Sequence, residues 1–358
     1  MCRALNYRKF GEVFSDELYI DFSDDSYIEQ CVYDVYKRIH CPGSNVVIRP
    51  FAEGIYVGAL NKNGQRHGFG TNYYKVNLKK SGVYQGMFVN GRKEGLGKYT
   101  NRRNDIYIGA FKDDKKEGHG RLTMENGSNY VGFFLDDKFH GLGTYQSSKG
   151  DLPVYTGTFE NDAVNGDGTM QYADGSEYNG SFRNGNFHGA GSYQSCNGDT
   201  YIGEMFNHQF HGEGMLKYSN GFEYNGFFEK GHFRGKGAYK TKDGDSYEGQ
   251  FEDHVFHGEG KMVYTNGDVF DGRWKDGKPI DGTRVYANRD TYSGQWKNDL
   301  RHDSKGNFMF PTGDTYERRP ISRWEEKWQR NLHVCKWWEV RRSLVRWRST
   351  RIRSQRMC

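Results

Sequence analysis

The chain has 358 residues with a formal net charge of +5, and only 35% of them are hydrophobic, which is too few for one thick aliphatic core. The 26 tyrosines and 24 phenylalanines nevertheless exclude a wholly disordered chain, because aromatic burial offsets the entropy of ordering. The six cysteines lack CxxC spacing, the start lacks a secretory signal, and no apolar run approaches the roughly 20 residues of a membrane span. We therefore expect a folded protein of a reducing, intracellular compartment.

The first 53 residues, 1–53, lack the repeat that fills the middle of the chain, and we interpret them as an N-terminal cap region. An apolar stripe at helical spacing predicts one amphipathic helix there, and Ser26 with Glu29 fits a capping box at its start. We expect the helix to cover the first edge of the sheet, with docking to a partner as the alternative. The stripe consists of Ile28, Cys31, Val32, Val35 and Ile39.

Residues 54–316 carry a two-part pattern with a period of about 23 residues. A Tyr-x-Gly triplet opens each unit. A Gly-x-Gly follows eleven residues after the Tyr in eight consecutive units, from Gly95/Gly97 to Gly258/Gly260. The pattern predicts about eleven stacked units. They start at Tyr56, Tyr84, Tyr107, Tyr130, Tyr155, Tyr178, Tyr201, Tyr224, Tyr247, Phe270 and Tyr292.

Each unit contains a predicted strand whose aromatic residues lie on one face. Tyr178, Gly180 and Phe182 fall at period two, as side chains on one face of a strand do. The glycine between two rings leaves room for an aromatic ring over the backbone, and we expect the Gly-x-Gly pairs to serve packing too. The same residues recur along the array, as in Gly189, Gly191, Tyr247, Gly249, Phe251, Gly258 and Gly260.

Turn residues close each unit into a β-hairpin. Asn90-Gly91, Asn184-Gly185 and Asp276-Gly277 suit two-residue turns with positive φ. A second set, including Asp174-Gly175 and Asn266-Gly267, links each hairpin to the next. The last unit departs from the pattern because Asp303 and Lys305 stand where its two glycines should be, which is typical of a terminal capping unit.

The stretch YNGSFRNGNFHGAGSYQSCNGDT, from Tyr178, resembles the MORN repeat nearly position by position, and the resemblance extends from about Gly54 to Tyr316. It implies a mainly β fold, an elongated single-layer twisted antiparallel sheet of stacked β-hairpins, to which we add the N-terminal and C-terminal helices. Proteins similar to this one, built almost wholly of MORN repeats, are mostly cytoskeletal. The resemblance therefore implies a non-enzymatic scaffold, in a cilium or flagellum axoneme, of the radial-spoke-head type. A membrane or phosphoinositide tether and an adaptor that targets an enzyme are the alternatives.

Three chemical interpretations of the repeat are disfavoured. Histidines recur at one repeat position, but equivalent positions lie two strands or ~10 Å apart, too far to ligate one zinc ion. The glycines of Gly258-Glu-Gly260-Lys261 lack the strand–loop–helix context of a phosphate loop. No catalytic motif stands apart from the repeat, so we predict no catalytic residue, metal or cofactor. The histidines are His67, His140, His188, His211, His257 and His302.

Residues 317–358 form a basic, tryptophan-rich segment, with thirteen Lys/Arg, four acidic residues and five of the seven tryptophans. Its apolar spacing predicts an amphipathic helix. We expect the first half to cap the last sheet edge and the Arg-rich second half to bind a partner. An acidic protein surface such as tubulin, anionic membrane and a calmodulin-type partner remain open. Nucleic acid is disfavoured, and a homodimer is possible. The partner-binding candidates are Trp324, Trp328, Trp337, Trp338, Arg341, Arg342, Arg346, Trp347, Arg348, Arg351 and Arg353.

Overall fold

A computed structural model describes residues 46–76, 79–150, 152–302 and 306–317. These residues form strands and turns without any helix, so the mainly β prediction is confirmed for them. No helix in this part of the chain is long and apolar enough to cross a membrane. The predicted helix within residues 23–40 and the predicted C-terminal helix lie outside the described residues.

The chain divides into two compact units, Met1–Ser219 and Asn220–Cys358. In the first unit, each described strand pairs antiparallel with the next one along the chain. The sheet starts before the predicted boundary at residue 54, because β1 pairs with β2. The strands are β1 Val47–Phe51, β2 Gly54–Leu60, β3 Arg66–Val76, β4 Lys79–Val89, β5 Arg92–Asn101, β6 Ile106–Lys112, β7 Lys115–Thr123, β8 Asn129–Leu135, β9 Lys138–Gln146, β10 Val154–Glu160, β11 Ala163–Gln171, β12 Glu177–Arg183, β13 Asn186–Gln194, β14 Thr200–Phe206 and β15 Gln209–Lys217.

The described strands of the second unit follow the same rule as far as β22, which pairs with both β23 and β24. β25 then pairs with β24. The strands are β16 Glu223–Glu229, β17 His232–Lys240, β18 Ser246–Glu252, β19 Val255–Val263, β20 Val269–Lys275, β21 Lys278–Val285, β22 Thr291–Lys297, β23 Leu300–Arg301, β24 Asn307–Met309 and β25 Thr315–Glu317.

The core of each repeat is a tyrosine ring laid over two paired glycines. Gly180 of β12 pairs with Gly191 of β13, and a Cβ built on Gly191 would lie 2.5 Å from the hydroxyl oxygen of Tyr178. The fully buried Tyr178 donates its hydroxyl hydrogen to the carbonyl of Ser181 at 2.9 Å. Any side chain at these glycines would therefore displace the ring.

Neighbouring repeats interlock through aromatic edges. Phe182 meets Tyr178 of its own repeat at 5.1 Å and Tyr155 of the preceding repeat at 5.0 Å, both edge to face. Phe187 stacks on Tyr178 at 3.8 Å. These geometries are favourable for aromatic pairs. The low aliphatic content is thus explained, because rings and glycines form the core of the repeats.

The two glycines of each Gly-x-Gly have different roles in the structure. The sequence pattern predicted a packing role for both. The first one has positive φ, +65° at Gly189, and lies where the β12–β13 register shifts between Gly180 and Phe182. At the equivalent Gly235 an added Cβ would meet no atom within 4 Å, although φ is +64°. Backbone conformation at a β-bulge, and not space, requires glycine there.

The last full repeat has a packing glycine at a position that the regular spacing of the repeat does not predict. Asp303 and Lys305 lie outside the described residues, but the next residue, Gly306, lies under the ring of Tyr292. A Cβ built on Gly306 would be 2.6 Å from that ring, and its Cα is 2.9 Å from a Cβ built on Gly294. The last full repeat therefore keeps a packing glycine, displaced by one position from the place that the regular spacing gives.

Candidate interaction surface

The strands present two faces with different amounts of free surface. The aromatic face carries the tyrosines, their glycines and the Phe, Met or Trp residues four positions later, and its rings are buried. The outer face carries the residues between them. β12 illustrates this alternation, since Tyr178 and Phe182 are buried whereas Asn179 is exposed. Ligands in solution can therefore reach the outer face, while the core occupies the aromatic face.

Cations replace one ring of the aromatic face in several repeats. Phe233 stacks on Tyr224 at 3.7 Å, but Lys93 occupies the equivalent position in β5. The Lys93 ammonium lies 5.0 Å from the centre of Tyr99 and 5.3 Å from that of Phe111. Burial lowers the pKa of Lys93. The cation–π interaction with these rings offsets part of the free-energy cost of burying the Lys93 ammonium.

The hairpin turns form hydrogen bonds with the preceding repeat. Both turn residues have positive φ even where neither is glycine, as at Asp136 (49°) and Asp137 (70°). The Asp137 carboxylate accepts a hydrogen bond from the Lys116 amide at 2.9 Å, and the Asp137 amide donates to the Lys116 carbonyl at 3.1 Å. Glycine at the second turn position, the sequence signal used above, does not identify turns of this kind.

The opposite ends of the strands carry a second set of links between repeats. Asp245 accepts hydrogen bonds from the amide and the hydroxyl of Thr265, at 2.7 and 3.0 Å. Asp199 binds the amide and hydroxyl of Ser219 in the same way, at 2.9 and 3.1 Å. Each acidic residue follows the glycine of a connecting loop, which is the signal that could have identified it. Polar links thus join successive repeats at both ends of these strands.

The recurrent histidines are spread along the repeats. His302 is exposed and the other five are half-buried. His257 lies with its Nδ1 atom 3.5 Å from a Glu252 oxygen. Among the described residues, no group of three His, Cys, Asp or Glu side chains could hold a metal ion. Gly258 to Lys261 lie within strand β19 and are followed by further strand, unlike a phosphate-binding loop.

The outer face changes character along the first unit. Ile108 packs against Ile106 and Val131, and beside them Phe133 and Leu142 are 38% and 61% exposed. We call these five residues the outer apolar patch. Most of its side chains are larger and more apolar than those on the outer face of β10–β13. The patch is therefore a localised apolar region of the sheet surface.

Hydroxyl and charged groups occupy other parts of the outer face. The Thr144 and Thr156 hydroxyls lie 3.1 Å apart across β9 and β10. A second apolar pair follows in β14 and β15, where Ile202 and Met215 are opposite each other and 63% and 47% exposed. In the second unit, Arg273 pairs with Asp281 at 3.1 Å. The outer face thus has chemically distinct regions on a repeated backbone.

The tail residues predicted to bind a partner, from Trp324 to Arg353, lie outside the described residues. The repeat residues predicted to be structural lie in the aromatic face and its bulges. The described part of the chain therefore contributes its outer face as the candidate interaction surface.

The sequence model of the MORN repeat matches residues 62–75, 84–105, 107–129, 130–152, 155–177, 178–200, 201–222, 247–269 and 292–315, more than half of the chain. The chain belongs to the MORN-repeat family. The matches omit residues 224–246 and 270–291. Tyr224 and Phe270, which open these two repeats, are nevertheless as buried as the equivalent tyrosines of the matched repeats. The MORN hairpin geometry thus continues through both gaps.

No curated protein matches this MORN-repeat chain. Among solved structures, the TCP domain of Drosophila melanogaster SAS-4 (dCPAP), in complex with a proline-rich motif of Ana2 (dSTIL), is 10% identical with a TM-score of 0.26, over 51% of this chain and 85% of that chain. The TCP10 domain of Danio rerio CPAP is 12% identical with a TM-score of 0.23, over 75% and 97%. Similarities at this level assign no function.

Proposed function

We propose that this protein is a non-enzymatic scaffold that binds other proteins through the outer face of its MORN sheet and its basic tail. The observation that carries the proposal is the division between the two faces. The aromatic face is filled by buried tyrosine and phenylalanine rings. The outer face repeats its backbone but varies its side chains, which suits recognition of an extended partner.

The proposed setting is the cytoskeleton, in the axoneme of a cilium or flagellum, with a radial spoke or associated complex as the assembly. Its support is the resemblance to proteins built almost wholly of MORN repeats. The +9 charge of residues 317–358 supports an acidic partner surface such as tubulin, because opposite charges steer association. A homodimer is compatible with the same surfaces.

The test is co-sedimentation of the full chain with axonemal and other cytoskeletal fractions. Ile202→Asp places a charge on an apolar outer-face residue and is expected to reduce binding by about tenfold. Asn179→Asp is the matched control, since the exposed Asn179 occupies the same position one repeat earlier and gains the same charge. Truncation after Arg319 measures the contribution of the tail separately.

The proposal fails if the full chain sediments with none of these fractions. The proposed role of the outer face fails if the Ile202→Asp and Asn179→Asp variants bind the cytoskeletal fractions equally well. Circular dichroism melting curves of both variants show whether the sheet is intact in each case.

Membrane tethering is the second candidate. The charge of the tail favours it, because residues 317–358 contain thirteen basic and only four acidic residues. Basic residues near anionic lipid contribute about 1 kcal/mol each. Flotation of the full chain with vesicles of phosphatidylcholine and phosphatidylserine tests it. Salt-sensitive flotation that is lost on truncation after Arg319 would replace the protein-scaffold proposal for the tail.

A further inference from the structure

The hairpin turns differ in the acceptor that they offer to the preceding repeat. Asp114, Asp137 and Asp162 each accept a hydrogen bond at 2.8 or 2.9 Å from an amide of that repeat. The amide of each aspartate also donates to the carbonyl of the same residue at 3.1 Å. At Gly277 only the second bond exists, at 2.9 Å, because glycine has no side chain. His254 offers a third kind of acceptor, an imidazole nitrogen.

His254, in the turn between β18 and β19, reproduces the aspartate link. Its φ of +71° is close to the +70° of Asp137. The His254 Nδ1 atom accepts a hydrogen bond from the Phe233 amide at 3.3 Å, and the His254 amide donates to the Phe233 carbonyl at 3.3 Å. The two rings also meet edge to face, with 4.6 Å between their centres. A residue of a type that titrates near neutral pH therefore makes this link.

The link requires the neutral form of the His254 ring. The Nδ1 atom of an imidazole accepts a hydrogen bond only when the ring carries its single proton on Nε2. In the imidazolium both nitrogens carry hydrogen, so two donors, Nδ1–H and the Phe233 N–H, would face each other. Carboxylates remain acceptors well below the range in which histidine takes up a proton. Acid therefore removes the acceptor at His254 and leaves those of the aspartate turns.

Charged neighbours determine how many protons this turn accommodates. The His232 ring stacks on the His254 ring with 4.7 Å between centres, and the His232 Nδ1 atom lies 3.5 Å from an Asp253 oxygen. Arg234 lies 3.5 Å from Asp253 and 3.1 Å from Glu229. One guanidinium and two carboxylates give a formal charge of −1 while both rings are neutral. One proton therefore balances the group, and a second gives it an excess positive charge.

Other charged groups on the adjoining hairpins are exposed or paired. Lys230 in the preceding turn, and Asp276 and Lys278 at the following turn, are exposed. Glu252 lies 3.5 Å from the Nδ1 atom of His257. The charge beside the two stacked rings is therefore set mainly by the guanidinium and the two carboxylates named above.

We propose that His254 is a pH-sensitive link between the β16–β17 and β18–β19 hairpins, made at neutral pH and broken in mild acid. His232, beside Asp253, accommodates the first proton. The second proton removes the acceptor of the Phe233 amide and places two cationic rings 4.7 Å apart. The contribution of the link to stability is present above the ordinary titration range of histidine, near pH 6.5, and is lost as pH falls below it. The proposal is independent of which partner the outer face binds.

The test is hydrogen–deuterium exchange of the full chain at about pH 7.5 and about pH 5.5, read by mass spectrometry and corrected for the chemical exchange rate. We expect peptides that contain Phe233 to lose protection severalfold at the lower pH. Peptides that contain Lys116 are the internal control, because its amide is bound by the Asp137 carboxylate. They should keep their protection at both pH values.

His254→Asn is the matched variant, because its side-chain oxygen can accept the same bond, asparagine adopts positive φ, and the amide does not titrate. Protection around Phe233 should then be equal at both pH values. His254→Gly also suits the backbone but has no acceptor at any pH. It should show the weaker protection already at neutral pH.

Equal protection of the wild type at both pH values overturns the proposal. The same acid-induced loss in His254→Asn also overturns it, since protonation elsewhere would then be the cause. Should His254→Asn fail to fold, His254→Asp replaces it. Nitrogen-15 NMR of the histidine side chains is a second readout, because the link requires the Nε2–H tautomer of His254 at neutral pH. The Nδ1–H tautomer would contradict the proposal.

Discussion

At the scale of single residues, glycine is required for two different physical reasons in every Gly-x-Gly. At the second position a side chain would collide with a buried ring, and at the first the backbone has a positive φ. The acidic turn residues add a third constraint, because they accept hydrogen bonds from the preceding repeat. These three roles explain why the repeat is so strict at a few positions and variable elsewhere.

Gly191→Ala tests the collision. The new methyl group would lie about 2.5 Å from the Tyr178 hydroxyl, and we expect the variant to lose about 3 kcal/mol of unfolding free energy. Gly150→Ala is the control, because a Cβ at Gly150 meets no atom within 4 Å. Urea denaturation followed by circular dichroism measures both, and equal stability of the two variants contradicts the packing role.

Asp137 tests the turn contact. Asp137→Ala removes the acceptor of the Lys116 amide and leaves an ordinary residue at positive φ, and should cost about 2–3 kcal/mol. Asp137→Gly loses the hydrogen bond but relieves the backbone, so it should cost less, and Asp137→Asn should be nearly neutral. Thermal melts that do not follow this order would show that the contact contributes little.

At the scale of the repeat element, stability depends on which group stacks against the tyrosine. Burial lowers the pKa of Lys93 from its usual 10.5, so between the lowered pKa and 10.5 this side chain binds more protons in the unfolded chain than in the folded one. Lys93 therefore adds stability as pH increases through that interval. Lys93→Met is the comparison, because it lacks the ammonium group and the slope of its stability against pH should be less positive than that of the wild type between pH 8 and 10. Parallel slopes for the two proteins would refute this assignment.

The buried tyrosines give the opposite dependence at higher pH. Burial raises the pKa of Tyr56 and of Tyr178 from 10.0 to about 12. Their contribution to stability is complete below pH 10 and is lost as pH rises through about 12. We expect tyrosinate absorbance and loss of the β signal to rise together between pH 10 and 12. Ionisation of these rings at pH 10 in a sheet that stays folded would contradict their burial.

At the scale of the whole molecule, stability should be close to a sum over repeats and their interfaces. Deleting residues 178–200 removes one complete repeat and joins Glu177 to Tyr201, so every strand keeps its direction. We expect a folded β protein with a lower melting temperature. Deleting residues 178–189, about half a repeat, disrupts the strand alternation and should prevent folding. Equal behaviour of the two deletions in circular dichroism and gel filtration would contradict the additive picture.

The fold and the candidate surface differ in how far the sequence predicts them. Tyr178, Gly180 and Phe182 share a face because strand geometry alone has a period of two, and the 23-residue repeat predicts the hairpins. The 23-residue spacing also places Ile108 and Val131 at equivalent positions of successive repeats. The spacing does not show which residue lies between them, because the pairing register of β6, β7 and β8 places Arg121 opposite both.

The sequence by itself determined the family, the number and type of repeats, and the aromatic face, because all of these depend on local spacing. The tertiary structure decided the separate roles of Gly189 and Gly191, the use of Gly306 in the last repeat, and the cross-strand row that joins Ile108, Arg121 and Val131. The physical reason is register. Bulges and cross-strand pairing decide which residues of distant sequence become neighbours, and spacing along the chain does not contain that information.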